Sequence, residues 1–291
     1  MIRHCCLLRF VCSGILRGMA RPNLSYLKNS VLFVVGLPCG ALTGLTGMGA
    51  SVLVQPLLRY LLGLRVPRLS ATALIITCVA ALSAMLSYAQ HGHVHWLLAL
   101  IVLVGQTWGA LLGGRVVLRA PGLLRQHWLW ALFVVALGLL MCHDALQMGL
   151  HPSFVALAAL PYIGIGGVAL LAAVLAGILS AWTGLGGALI VPVLIFAAGL
   201  SPLAAQGTAI VTLLLASLPG ALVHGTKREV EPQAGSWMGL GAVCGGLVGA
   251  FYAVSHHLRA PQLVFVYGVV LSLLGVSLLW RKTEPAALPT E

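Results

Sequence analysis

Apolar runs of about 20 residues or more follow one another along this chain with almost no charge inside them, and they dictate its solvent. A hydrocarbon core roughly 30 Å thick needs about 20 apolar residues per helix. Inside it every backbone N–H and C=O must be bonded within the spanning structure, which leaves helices or closed barrels. The runs are continuous and lack the alternating segments of about ten residues that mark a barrel. Composition agrees: 60% hydrophobic residues, 7% charged and a mean hydropathy of +1.05 give too little polar surface for a soluble globule. The sequence therefore predicts an all-α integral membrane protein.

Eight apolar segments are read, near residues 31–62, 69–90, 93–118, 126–148, 162–199, 202–224, 234–256 and 261–280. A basic N-terminal segment, 1–30, precedes them; a connector, 149–161, separates two groups of four, 31–148 and 162–280; and a polar tail, 281–291, closes the chain. No loop is long enough for a soluble domain. The 16 Lys and Arg against five acids give a net charge of +11, most of it in loops and the N-terminal segment, where anionic lipid headgroups are a sufficient partner. Nucleic acid is not required.

The first segment of each group repeats a motif. Gly44-Leu-Thr-Gly-Met-Gly-Ala-Ser-Val-Leu-Val-Gln-Pro56 answers Trp182-Thr-Gly-Leu-Gly-Gly-Ala-Leu-Ile-Val-Pro192 at an offset of 137, falling to 136 at the proline. The register continues: Thr72 maps to Thr208, and Gly105, Gly109 and Gly113 map to Gly241, Gly245 and Gly249. Ordered matches over such a distance indicate an internal duplication. Each first segment is too long for one straight crossing, since 32 residues at 1.5 Å rise run to roughly 48 Å. Its glycines cluster where helix propensity is poorest, so a broken helix is predicted in each half. Four crossings per half would make the repeats parallel; three, with the broken segment entering and leaving on one side, would make them inverted. Charge counts of nine basic residues against seven favour cytoplasmic termini, but a start at Met19 would change them to six against seven.

Mid-span chemistry is confined to hydroxyls, amides and backbone. All five acids, Asp144, Glu229, Glu231, Glu284 and Glu291, lie at segment ends, in a loop or in the tail, which argues against a cation carrier. Around the breaks lie Thr43, Thr46, Gly47, Gly49, Ser51 and Gln55 in one half, and Ser180, Thr183, Gly184, Gly186 and Gly187 in the other. Thr72, Gln206 and Thr208 sit on the following segments. A half-helix opened by glycines presents unbonded N–H groups and a positive dipole end, which suits a small oxyanion. Against this stands the ordinary use of a membrane threonine, which bonds the preceding turn of its own helix. The glycines of the third and seventh segments read as faces for close helix packing, against each other or against the broken helices.

Residue for residue, the two motifs resemble the doubled signature of the TauE/SafE family, the sulfite exporter or toluene sulfonate uptake permeases. The resemblance covers nearly all of residues 31–280. It implies secondary transport of a small sulfur-containing anion, such as sulfite or an organosulfonate, with no cofactor and no metal. Ala50 and Ser51 stand where the family usually has glycine, and the first-copy proline is shifted by one residue. Competing readings are a membrane scaffold or assembly subunit, which would pack helices and possess no reason to break both, and an intramembrane enzyme using Ser51 or a histidine. The enzyme reading lacks a nucleophile paired with a base, and Ser51 answers to Ala188. His91, His93 and His95 are candidates for metal binding or pH sensing, and His224 for a cavity-facing ionisable group. The seven cysteines are odd in number and show no Cys-x-x-Cys spacing, so they read as small apolar residues. Homo-oligomerisation is compatible with all of this.

Overall fold

A computed structural model describes residues 22–62, 66–119, 127–147, 162–183, 186–196, 198–226, 230–255 and 259–280. The described residues form ten α-helices: α1 Pro22–Thr46, α2 Ser51–Leu62, α3 Val66–Gln90, α4 Trp96–Arg119, α5 His127–Gln147, α6 Tyr162–Thr183, α7 Ile190–Phe196, α8 Pro202–Thr226, α9 Pro232–Val254 and α10 Ala260–Trp280. A 3-10 turn, Gly186–Leu189, leads into α7. Pro22, Pro67, Pro202, Pro232 and Pro261 each occupy one of the first two positions of a helix, where the missing N–H is no loss and φ is already helical.

Helices α1, α3, α4, α8, α9 and α10 each carry an apolar window long enough to cross a membrane. The outer faces match that solvent. Trp96, Leu100, Val104, Trp108 and Leu111 of α4 are all more than half exposed, at helical spacing, and so are Val248 and Phe251 of α9. An apolar surface of that extent would be untenable in water. Inside, no charged side chain is buried among the described residues; the buried polar groups are threonine, serine and glutamine.

Contacts at glycine fix the direction of each helix. Gly36, Gly40 and Gly44 of α1 meet Met238, Ala242 and Gly246 of α9 in rising order, so the two run parallel at backbone contact. Gly105 and Gly109 of α4 meet Leu170 and Val174 of α6 in the same sense. Helix α3 also runs with α9, through Val79 beside Gly239 and Ser83 beside Gly246. Thr208 and Thr212 of α8 reach His95 and Ala99, so α8 runs with α4. Tyr88 meets Gln206 while Thr77 and Leu213 flank Gly49, so α3 and α8 are antiparallel. Helices α5 and α10 are antiparallel too, Gly138 lying on Gly268 and Gly275 on Ala131.

Two consequences follow. Helices α1, α3 and α9 run one way, and α4, α6 and α8 the other. With α1 and α3 in the same sense, the intervening α2 must run back; α7, between α6 and α8, does likewise. Each first segment is thus a hairpin of one long and one short helix. Leu58, near the end of α2, shares a buried cluster with Leu32 of α1 and Leu69 of α3. Gly105 and Gly109 of the third segment and Gly241, Gly245 and Gly249 of the seventh face these hairpins, and each long arm lies against a helix from the other group of segments.

Candidate functional site

The first reversal occupies Gly47–Ala50, all four residues buried. Helix α1 stops at Thr46, whose Oγ1 donates to Leu42 O at 2.6 Å and accepts from Met48 N–H at 3.3 Å. Gly47 N–H closes the last turn on Thr43 O at 2.8 Å. Gly47 and Gly49 take φ of 71° and 87°, a region costly for any residue with a Cβ. Helix α2 then restarts, Leu53 and Val54 N–H donating to Ala50 O. No described residue accepts from the N–H groups of Gly49, Ala50 or Ser51. They are the donors that a helix start leaves unsatisfied.

The second reversal lies directly on the first. A Cβ on Gly187 would collide with the carbonyl of Met48, and Leu213 of α8 flanks Gly187 and Gly49 together. Gly47 faces Val191 of α7 and the Gln206 backbone of α8, 3.1 Å from where its Cβ would be.

Each reversal frees a carbonyl, and a tyrosine from another helix takes it. Because Met48 N–H bonds to Thr46, the Gly44 carbonyl loses its usual partner and accepts from Tyr88 Oη at 2.9 Å. Tyr88 also lies 3.1 Å from the Gln206 side-chain amide. One hydroxyl hydrogen cannot serve both, so all three groups are satisfied when the Gln206 NH2 donates to the phenol oxygen. In the second reversal Tyr267 Oη donates to Ala188 O at 2.7 Å. Tyr88, Tyr267 and Gln206 are all buried.

The predicted residues divide. Thr46, Gly47, Gly49, Ser51 and Gly187 come together at the reversals, with Thr43 one turn back, its hydroxyl donated to Cys39 O. Thr72 and Thr208 bond to other parts of the chain. Thr72 Oγ1 donates to Arg68 O and accepts from Glu231 N–H at 3.0 Å; Thr208 Oγ1 accepts from His95 N–H at 3.1 Å. Each thus holds the chain entering α9 or α4, and the two pairs are related by the same offset, since His95 and Glu231 also differ by 136. Gly184 lies outside the described residues, as do the side chains of Ser180, Thr183 and His224; Gly186 opens the 3-10 turn. His91 Nδ1 donates to Ser87 O, and no group of three or more His, Cys, Asp or Glu gathers as a metal site among the described residues. Tyr88, Tyr267, Leu213 and Thr77 were not singled out from the sequence. A tyrosine inside an apolar run was the signal for the first two.

Outward apolar helix faces, around a core whose buried polar groups are uncharged, define a multi-pass membrane protein. The chain belongs to the sulfite exporter TauE/SafE family, whose model matches residues 5–141 and 169–290. It is similar to a "Probable membrane transporter protein" of Xylella fastidiosa strain 9a5c, 27% identical over 256 residues, covering 83% of this chain and 91% of the relative. It is also similar to "Probable membrane transporter protein YunE" of Bacillus subtilis strain 168, 24% identical over 268 residues, 86% of this chain and 97% of the relative. No solved structure shows a significant match.

Proposed function

We propose that the protein is a secondary transporter of a small sulfur-containing anion, such as sulfite or an organosulfonate, and that the two reversals form its binding site. The observation carrying this reading is the contact of Gly187 with the Met48 carbonyl beside three N–H groups that have no acceptor among the described residues, none of which buries a charged side chain. Backbone donors at a helix start attract an anion and need no buried cation. The family's description supplies the sulfur chemistry.

The halves, 31–148 and 162–280, are read as an inverted duplication. Equivalent contacts support it: Gly105 on Leu170 answers Gly241 on Phe33, and Gly109 on Val174 answers Gly245 on Leu37, each at offsets of 136 and 137. Rocking one half against the other about such a pseudo-twofold axis would open the site alternately to the two sides. Ser180, Thr183, Gly184 and Gly186 complete the second half of the site in this reading. Uptake of labelled sulfite, methanesulfonate and thiosulfate into proteoliposomes, with and without a pH gradient, tests it. Uptake of at least one anion above protein-free vesicles is expected, and no uptake of any of them would overturn the reading.

A further inference from the structure

Thr77 has a hydroxyl that the fold does not use. Buried threonines of membrane helices return their Oγ1–H to the preceding turn, and Thr43, Thr46, Thr72 and Thr212 all do so here. Thr77, in the middle of α3 and 1% exposed, makes no such bond, and its Oγ1 has no hydrogen-bond partner among the described residues. A hydroxyl buried in that way is unfavourable unless something else accepts from it.

Its position supplies the something. The Thr77 methyl lies 3.5 Å from the place a Cβ on Gly49 would take, and the hydroxyl shares the carbon that bears this methyl. It therefore stands beside the turn that opens α2, a 12-residue helix whose leading N–H groups, at Gly49, Ala50 and Ser51, have no described acceptor. Leu213 also packs on Gly49. Two independent sets of donors thus lie beside one turn.

We propose that Thr77 is a substrate-contacting residue: its Oγ1–H donates to one oxygen of a small oxyanion whose other oxygens are held by the N–H groups at the start of α2. This rests on the anion-transporter reading and adds a side chain to it. The donors are all neutral, so the ligand brings the only charge, and its discrimination depends on oxygen positions and not on ion pairing. A site built to hydrogen-bond a ligand loses far more from a missing hydroxyl than from a missing methyl.

Full-length protein in proteoliposomes, with labelled sulfite as probe, provides the test through Thr77→Val, Thr77→Ala and Thr77→Ser. Thr77→Val is expected to raise the half-saturating sulfite concentration about tenfold or more, the loss of one hydrogen bond to a charged ligand. Sulfite should also cease to raise its melting temperature in detergent, while Thr77→Ser retains both responses. If valine at this position yields aggregated protein, Thr77→Ala, which removes the hydroxyl without adding bulk, is measured in its place. Parental half-saturation in Thr77→Val or Thr77→Ala, with active parental protein, overturns the role of Thr77 alone. Parental protein that neither transports sulfite, methanesulfonate or thiosulfate nor is stabilised by them overturns the site reading and this inference with it.

Discussion

Gly187 rests on the carbonyl group of Met48, so that the two hairpins, distant in sequence, meet at backbone contact. The contact leaves no room for a Cβ. Gly187→Ala should therefore force the hairpins apart, at a cost of about 1–3 kcal/mol from overpacking. Transport should fall more steeply than stability, because both reversals move. Gly167→Ala is the control: nothing lies within 4 Å of its Cβ position, and it should behave as parental. Thermal melting in detergent and vesicle uptake check both; a Gly187→Ala protein as stable and active as its parent would show that the hairpins are not in contact.

Tyr88 stabilises the first reversal by taking up the Gly44 carbonyl. Tyr88→Phe keeps the ring and strands that buried acceptor, along with the Gln206 amide, for an expected loss of about 1–3 kcal/mol. Denaturation in detergent measures this. An unchanged melting temperature would mean that another group caps the turn.

Thr72 and Thr208 occupy matching places and hold matching N–H groups, those of Glu231 and His95. Thr72→Val and Thr208→Val should each lower stability by about 1 kcal/mol, the scale of a lost cap, and by similar amounts. Half-saturating substrate concentration should stay close to parental. A selective loss of affinity in either variant would return that threonine to the binding site.

The hairpin reading has a consequence for sidedness. In a cysteine-free background, Ser30→Cys at the start of the apolar window of α1 and Arg59→Cys near the end of α2 should react with a membrane-impermeant maleimide from the same side. His91→Cys, in the turn between α3 and α4, should react from the opposite one. Labelling of Ser30→Cys and Arg59→Cys from opposite sides would mean that α1 and α2 cross in succession.

Much of this molecule was legible in its residues. Continuous apolar runs determined a helical membrane protein, because lipid admits only helices and closed barrels and these runs lack the alternation of barrel strands. Of the glycine-rich motifs, Gly47 and Gly49 take positive φ and Gly187 meets the Met48 backbone, places that a residue with a Cβ fills only at a cost. Side-chain roles were less legible. Thr72 and Thr208 lie on the segments after the motifs, but their hydroxyls serve chain entries 159 and 113 residues away in sequence. Thr77 carries no local mark at all.

What the tertiary structure alone decided is direction and partnership. A run of 32 apolar residues is equally compatible with a tilted crossing, a break or a return, because hydropathy records depth in lipid and not the sense of travel. The contacts of Gly36, Gly40 and Gly44 with α9, and of Thr208 with His95, settle that sense, placing α1 against α9 and α8 alongside α4. They do so because close packing demands a specific neighbour at each glycine, and a neighbour's identity is a property of the folded chain.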